Sequence, residues 1–274
     1  FKVAAERIKD EVTRIALLDP PSRGVRLMQR LGLLDVIAPE IAPAVGHEQK
    51  SPYHHQDVFE HCLTVMDGCE PDIVLRLAGL FHDIGKVDAE KKIEGEERYV
   101  YYGHQRFSAE KARSFLSRLM FSHEIREAVS FLVENHMVCY TEEWKDSTVK
   151  RFMRKMGPQW GRLMKLVRAD TAALRPDLAA LGAGDQMKNY EDLVRRAEDL
   201  RLEEVQTLTS PLNGYEIQEI LRVPPGPFIG QVKEEIVSAI LDGKIPNTKE
   251  AARAWILSAF TPPSPFPLPQ GRGI

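Results

Sequence analysis

The chain has 274 residues, 43% of them hydrophobic and 28% charged, which is the composition of a globular protein with room for one large domain or two smaller ones. Its 37 basic and 40 acidic side chains leave a formal net charge of −3, so the chain as a whole offers no general electrostatic attraction for nucleic acid. No apolar run approaches the ~18–20 residues of a membrane span, and three cysteines without C-x-x-C spacing argue against a disulfide scaffold or a structural zinc site, so we expect a cytoplasmic protein with no membrane partner.

Most segments carry apolar residues at helical spacing, separated by glycine, proline or Asn/Asp punctuation. The pattern predicts helices at Val3–Leu17, Gly24–Leu34, Val58–Met66, Ile73–Phe81, Ser108–Leu119, Ile125–Asn135, Val149–Met156, Gln159–Leu174, Met187–Leu202, Glu216–Leu221, Ile229–Leu241 and Lys249–Leu257. Lys92–Tyr102 is the best strand candidate, but because it stands alone it would supply a hairpin at most. The predicted fold class is therefore all-α.

A second unit of predicted helices begins after Arg175-Pro176. Residues 258–274 hold five of the 18 prolines and almost no periodicity, so we expect a disordered end that adds nothing to a core. The first residue is Phe1 rather than methionine, and we expect the chain to start within a longer gene product.

Histidine and aspartate residues form the most informative pattern, because all eight histidines lie between His47 and His136. Six residues are candidate ligands of a divalent metal: His61, His82, Asp83, His104, His136 and Asp170. Apart from the adjacent pair, their spacings of 21 to 34 residues are too long for a zinc finger and instead suit one ligand on each of several helices in a bundle. Imidazole and carboxylate groups together are typical ligands of a catalytic divalent ion.

The adjacent pair His82-Asp83 follows the nearly apolar run Leu75–Phe81, so a buried helix should deliver it. A buried aspartate beside a buried histidine is costly unless a cation is close by. Gly85 is expected to cap the helix and turn the chain, so that both neighbours reach one ion or two. Asp57 is expected to cap the helix of His61 or to orient its ring. The other histidines are interpreted as ordinary structural residues: His47, His54, His55 and His123.

The segment from His61 through Leu80-Phe81-His82-Asp83-Ile84-Gly85-Lys86 to Asp170 resembles the HD superfamily of metal-dependent phosphohydrolases. By that resemblance His61, His82, Asp83 and Asp170 hold a first ion, His104 and His136 complete a second, and Lys86 steadies a phosphate. Asp83 and Lys86 are then the expected catalytic residues in an HD-domain helical bundle. The implied cofactor is one or two divalent ions per chain, of a metal that the sequence does not specify (Mn, Ni, Co, Mg, Fe or Zn).

A second resemblance covers roughly residues 1–257, and it is to bacterial tRNA nucleotidyltransferases and poly(A) polymerases. The matching segments are Glu6–Glu11, Gly24–Met28 and Gly32–Leu34 for the neck, Tyr53–His61 for the entry into the HD body, and Asn213–Ile217, Pro225–Gly230 and Gly243–Asn247 for the tail. The resemblance implies an RNA-binding helical neck at residues 1–48, an HD body at 49–177 and a helical tail at 178–257.

One departure from those enzymes is the absence of their N-terminal head, with its Gly-Ser pair and Asp-x-Asp motif; this chain contains no Asp-x-Asp. We therefore expect no nucleotide addition by the chain alone. The leading expectation is a phosphohydrolase acting on phosphomonoesters or 2′,3′-cyclic nucleotides. The alternative is the tRNA-binding body of a nucleotidyltransferase that acts in tRNA 3′ processing, with a structural or vestigial metal site.

Ser147–Ala169 contains seven basic residues and no acidic one. Arg151, Arg154 and Lys155 share a helical face and are predicted to contact an RNA phosphate backbone, which would make tRNA a partner. A solvated face that balances nearby acidic residues fits the pattern about as well, and the family resemblance favours RNA. The sequence leaves the oligomeric state open.

Overall fold

The computed structural model describes residues 3–50, 56–95, 99–174 and 186–260. The regular structure of these residues is helical apart from one two-stranded hairpin, which confirms the all-α fold class. No helix in these ranges combines the length and the apolar character needed to cross a bilayer.

The helices follow the predicted order along the chain. They are α1 (Ala5–Ala16), α2 (Ser22–Arg30), α3 (Leu34–Ile37), α4 (Val58–Gly68), α5 (Ile73–Phe81), α6 (Lys86–Ala89), α7 (His104–Arg118), α8 (His123–Asn135), α9 (Asp146–Met156), α10 (Trp160–Ala172), α11 (Gln186–Asp199), α12 (Leu202–Thr207), α13 (Gly214–Leu221), α14 (Pro227–Leu241) and α15 (Lys249–Ala259). Short 3₁₀ turns occupy Ala42–Ala44 and Gly157–Gln159.

The predicted strand is a hairpin. β1 (Lys91–Lys92) pairs antiparallel with β2 (Tyr99–Val100), and Lys91 lies opposite Val100. Residues 96–98 of the predicted strand lie outside the described residues. Helix α7 begins four residues earlier than predicted, because Gly103 adopts a φ of 79° and turns the chain directly into the helix. The prediction missed this first turn because it is polar and shows no apolar periodicity.

The described residues within 1–142 and 158–194 form one compact unit. Its central element is α5, which packs against α4, α7, α8 and α10, and it is buried from Val74 to Phe81. Asp72 caps this helix by accepting hydrogen bonds from the backbone N–H groups of Val74 and Leu75, at 2.8 and 3.0 Å. The helix therefore holds its last residue, and the His82-Asp83 pair that follows, within the core of the unit.

Arg76 is a charged residue in this buried helix, and the residue is only 3% exposed. Its guanidinium donates to the backbone carbonyls of Ala16 at 2.8 Å, of Cys69 at 3.3 Å and of Leu18. Buried donors are costly only when they lack acceptors, so these carbonyls let an arginine sit in an otherwise apolar helix. They also tie α5 to the end of α1.

The described residues within 143–157 and 195–260 form the second compact unit. Its core contains apolar side chains of α13, α14 and α15, including Ile217, Val232 and Ile256. Helix α9 packs against α12 and α14. This grouping differs from the predicted division, in which residues 143–157 belong to the body at 49–177 rather than with the tail helices. The domain boundaries inferred from the sequence stay a prediction.

Candidate metal centre and basic stretch

The six candidate ligands come from five helices of the first unit. His61 lies in the second turn of α4, and His82 and Asp83 directly follow α5. His104 is the first residue of α7, and His136 directly follows α8. Asp170 lies in the last turn of α10. Most of these side chains therefore lie at or next to the end of a helix, where the backbone can change direction directly after the ligand residue.

The first group of donor atoms comes from His61, His82, Asp83 and Asp170. His61 Nε2 lies 3.1 Å from Asp170 Oδ1 and 3.3 Å from His82 Nε2. Asp83 Oδ2 lies 3.5 Å from His61 Nε2 and 3.4 Å from His82 Nε2. The structure therefore brings together all four side chains that the sequence analysis assigned to a first ion.

The second group uses the other oxygen of Asp83. Asp83 Oδ1 lies 3.0 Å from His104 Nε2 and 3.5 Å from His136 Nε2. The two imidazole Nε2 atoms are 3.4 Å apart. Asp83 thus faces one pair of histidines with each of its carboxylate oxygens, which is the arrangement of a carboxylate placed between two cation positions.

The orientation of the imidazole rings supports a cation at this cluster. The Nδ1 atoms of His82, His104 and His136 lie 2.8, 2.9 and 2.8 Å from the carbonyls of Gly79, Tyr101 and Val133. Because a carbonyl only accepts, each Nδ1 carries a proton and each Nε2 of a neutral ring presents a lone pair to the cluster. Two lone pairs 3.4 Å apart repel unless a positive charge lies between them.

The distances also fit a metal. Donor atoms that share one ion at about 2.0–2.3 Å are themselves about 3.0–3.6 Å apart. The separations within both groups run from 3.0 to 3.5 Å. Two triads, His61 with His82 and Asp83, and Asp83 with His104 and His136, are each compact enough to hold one ion. The donor set therefore fits a divalent cation, with or without a second one.

Burial and charge set the protonation of these groups. Burial alone would raise the pKa of Asp83, but Lys86 and His82 hold that pKa well below its usual range. Burial alone would lower the pKa of His82, but Asp83 and Asp170 raise it well above its usual range. For His136 burial prevails and lowers the pKa. The carboxylates therefore stay ionised, and without a metal the cluster takes up a proton in its place.

Lys86, the predicted catalytic cation, lies inside the cluster rather than at its surface. Its Nζ is 2.6 Å from Asp83 Oδ2 and donates to Gln49 Oε1 at 2.7 Å. The Lys86 side chain is 8% exposed. No sequence motif marks Gln49, because its contact with Lys86 joins residues that are 37 positions apart in the chain.

Gly85 corrects one expectation. The sequence predicts that Gly85 caps α5 and turns the chain, but its φ is −73°, and it precedes α6 in an ordinary helical conformation. A Cβ at this position would lie 2.3 Å from the carbonyl oxygen of His104 and 2.5 Å from the backbone nitrogen of Ser108. Glycine is needed here because α7 approaches the backbone directly, not because of a turn.

The remaining histidines and Asp57 have ordinary surroundings where the structure describes them. Asp57 Oδ1 accepts from the backbone N–H of Glu60 at 2.7 Å, which makes Asp57 the N-cap of α4, one of the two roles expected for it. His47 lies 3.2 Å from Glu90. His54 and His55 lie outside the described residues.

The predicted RNA-contacting residues lie on α9, in the second unit. Arg151 pairs with Asp242 at 2.5 Å and Arg154 with Glu234 at 3.7 Å, and Arg154 also donates to the carbonyl of Leu208. Lys155 is exposed. Other cations of the stretch are paired within the first unit, as in Arg162 with Asp72 at 2.8 Å. Much of the positive charge is thus balanced inside each unit, which the sequence pattern alone did not reveal.

Comparison with known proteins gives two family matches. The family described as "tRNA nucleotidyltransferase domain 2" matches residues 101–256, which is more than half of the chain. The family described as the RNA and SrmB-binding site of polymerase A matches residues 2–45. Neither of these two matches covers residues 46–100, which contain His61, His82 and Asp83.

Curated relatives indicate the same family as the first of these matches. The chain is 34% identical to the CC-adding tRNA nucleotidyltransferase of Thermus thermophilus over 93% of its own length and 56% of the relative. It is 30% identical to the A-adding tRNA nucleotidyltransferase of Deinococcus radiodurans over 92% of its own length and 58% of the relative. A Multifunctional CCA protein of Aromatoleum aromaticum matches at 29% identity over half of the chain. The chain therefore spans a little over half the length of the first two relatives.

Proposed function

Because the chain belongs to the tRNA nucleotidyltransferase family, we propose that it is the tRNA-binding body of a nucleotidyltransferase that acts in tRNA 3′ processing. The observation that carries this proposal is the match of more than nine-tenths of the chain to relatives named for adding CC or A to tRNA. The RNA-binding match at residues 2–45 supports the same function for the first helices. In this proposal residues 1–48 are a neck, 49–177 a body and 178–257 a tail.

We further propose that the exposed side of α9 contributes to tRNA binding through Arg151, Arg154 and Lys155. Lys155 is exposed, and the side chain of Arg151 is 48% exposed despite its ion pair with Asp242. Exposed ion pairs contribute little stability, so a phosphate can replace the carboxylate at a small cost.

The experiment is tRNA binding measured by fluorescence anisotropy at several salt concentrations. Replacing Arg151, Arg154 and Lys155 with alanine should weaken binding and flatten the salt dependence by up to about three released ions. A matched control removes three exposed lysines of the first unit, Lys91, Lys92 and Lys188. If the salt dependence of tRNA binding is unchanged in the α9 variant, these three residues form ion pairs within the protein and do not contact tRNA. Absence of tRNA binding by the unaltered chain refutes the body function itself.

A second function, metal-dependent phosphoester hydrolysis by an HD-type site, is proposed on one observation: the six-residue cluster with donor separations of 3.0–3.5 Å. His61, His82, Asp83 and Asp170 would hold one ion, and Asp83, His104 and His136 a second. A divalent ion there would polarise a phosphate oxygen and lower the pKa of a water for attack. Lys86 keeps Asp83 ionised, and the carbonyls that accept from the imidazole Nδ1–H groups keep the rings aimed at the cluster.

The test has two readouts. With Mn²⁺, Co²⁺ or Ni²⁺ supplied, the chain should bind metal in equilibrium dialysis and hydrolyse a 2′,3′-cyclic nucleotide or a phosphomonoester. Asp83→Asn should lower metal affinity and reduce hydrolysis at least ~100-fold, because the shared ligand is lost. Asp88→Asn is the matched control, since Asp88 lies on α6 and pairs with Lys111 at 3.0 Å. Metal binding without hydrolysis in the unaltered chain would leave the cluster a structural site and the tRNA-binding function standing.

A further inference from the structure

The residues that precede α4 include Gln49, whose side chain reaches the ligand cluster. Gln49 is 8% exposed, and both ends of its amide have partners. Its Oε1 accepts from Lys86 Nζ at 2.7 Å, and its Nε2 donates to the backbone carbonyl of Gln56 at 3.4 Å. Because an ammonium only donates and a carbonyl only accepts, these partners fix which end of the amide faces the lysine. The oxygen of Gln49 therefore points at Lys86.

Contacts on either side of Gln49 hold its backbone in place. Lys50 N donates to the hydroxyl of Tyr101 at 3.0 Å, and Lys50 Nζ pairs with Glu90 at 2.9 Å. His47 Nε2 lies 3.2 Å from the other carboxylate oxygen of Glu90. Gln49 thus lies between two anchored residues, and it presents an acceptor to the lysine in a fixed position.

The ammonium of Lys86 lies between Gln49 and a carboxylate of the cluster. Its Nζ is 2.6 Å from Asp83 Oδ2. The same oxygen lies 3.5 Å from His61 Nε2 and 3.4 Å from His82 Nε2, so it is the Asp83 oxygen that faces the proposed first ion. The lysine and a divalent ion would then share one oxygen, and two positive charges this close repel strongly in a buried site.

An acceptor outside the ligand set reduces the cost of this sharing. A divalent ion on Asp83 weakens the attraction between the carboxylate and the ammonium, and a buried ammonium is costly when it loses an acceptor. Gln49 Oε1 is an acceptor that does not belong to the candidate metal ligands, so its hydrogen bond to Lys86 persists when the ion binds. Because the amide is neutral, it stabilises the ammonium without attracting the ion away from Asp83.

We propose that Gln49 is a positioning residue of the metal-dependent site, which holds the ammonium of Lys86 so that Asp83 can bind a divalent ion while the lysine stays beside it. The inference rests on the metal-dependent function proposed above. In this role Gln49 touches neither the ion nor a substrate, and it acts only through Lys86.

The test is a double-mutant cycle in which calorimetric titration of the full chain with Mn²⁺ gives the affinity of the tighter site. The four proteins are the unaltered chain, Gln49→Met, Lys86→Met and the double variant. Methionine keeps an unbranched side chain of similar length and lacks the amide and the ammonium. Gln56→Met is the matched control, because the Gln56 amide donates to Thr64 Oγ1 at 3.0 Å and does not contact the lysine.

Two additional measurements separate positioning from a structural role. Gln49→Glu keeps an acceptor for Lys86 and loses the donor to the carbonyl of Gln56, so it should bind Mn²⁺ at least as tightly as the unaltered chain. Thermal melts monitor folding of every variant. Gln49→Asn, whose shorter side chain withdraws the amide from Lys86, serves if Gln49→Met does not fold.

Gln49→Met should weaken Mn²⁺ binding about tenfold, and the same substitution in the Lys86→Met background should change it by less than about twofold. The Gln56→Met control should match the unaltered chain. Unchanged Mn²⁺ affinity in Gln49→Met overturns the positioning role. An equal loss in both backgrounds, or a Gln49→Glu variant as weak as Gln49→Met, also overturns it and makes Gln49 a structural residue. Failure of the unaltered chain to bind Mn²⁺ overturns the metal centre itself, which distinguishes the two proposals.

Discussion

Replacing Gly85 with alanine tests the close approach between the turn that follows Asp83 and the start of α7. The added Cβ would lie 2.3 Å from His104 O, 2.5 Å from Ser108 N and 2.8 Å from Phe107 Cβ. Two of these atoms are backbone, so α7 must move by about 1 Å for the new atom to reach ordinary contact distance. The movement also stretches the buried hydrogen bond from Gly85 N to Ser108 Oγ, now 2.9 Å.

The expected cost combines two effects. Overpacking costs about 1–3 kcal/mol, and loss of the buried hydrogen bond about 1 kcal/mol more. The conformation itself suits alanine, since φ is −73°, and this recovers at most about 1 kcal/mol. We therefore expect a loss of about 2–3 kcal/mol in equilibrium urea denaturation, together with weaker binding of metal by the group that contains His104.

Two further variants separate the possible reasons for the glycine. Gly161→Ala is the matched control, because nothing lies within 4 Å of the added Cβ, and it should be neutral or slightly stabilising. Gly85→Asn should be at least as destabilising as Gly85→Ala, whereas a left-handed cap would tolerate asparagine. A loss below about 0.5 kcal/mol in Gly85→Ala, or a stable Gly85→Asn variant, would refute the close-approach explanation.

Three other substitutions probe how α5 and its neighbours are held, and urea denaturation checks each. Asp72→Ala should cost about 1–2 kcal/mol at pH 7, because it removes the cap of α5. Burial raises the pKa of Asp72, but the backbone N–H groups that it caps and Arg162 lower this pKa overall. The stabilisation by the ionised carboxylate is therefore present above the unfolded pKa of about 4 and is lost as the pH falls through the lower folded pKa. The stability difference between Asp72→Ala and the unaltered chain should shrink accordingly between pH 5 and pH 3. Arg76→Met should cost about 2–4 kcal/mol, since it keeps the volume but leaves the buried carbonyls that Arg76 serves without a donor, and a neutral result would contradict that role. Ser108→Ala should cost about 1–2 kcal/mol through the lost bond to Gly85 N, and no change would mean that this bond contributes nothing.

The ligand cluster illustrates what the sequence can predict. Each candidate ligand lies in or beside a helix that local periodicity reveals, and His82-Asp83 after an apolar helix is costly enough to imply a partner. The side chains therefore converge as expected, although their role as metal ligands stays a prediction. What spacing could not supply is the division of Asp83 between two pairs of histidines, because that depends on the three-dimensional meeting of α4, α5, α7 and α8.

Other features depended on contacts between residues far apart in the chain. The reason for Gly85 lies 19 to 23 residues away, in the backbone of α7, and no local pattern records it. The acidic partners of Arg151 and Arg162 lie about 90 residues away, so a stretch that reads as uniformly basic is largely balanced. Helix periodicity identifies the buried face of α9 but not the helices that cover it.

The position of α9 in the second unit has a consequence for synthesis of the chain on the ribosome. Val149, Met153 and Met156 are buried in the finished protein, on a helix that packs against α12 and α14. Helix α12 begins at Leu202, 46 residues after α9 ends at Met156. At a translation rate of about 5–20 residues per second, α9 waits roughly 2–9 s before the first of its covering helices emerges. During that interval its apolar face is open to solvent and to chaperones, and a nascent chain stopped before α12 would keep it so.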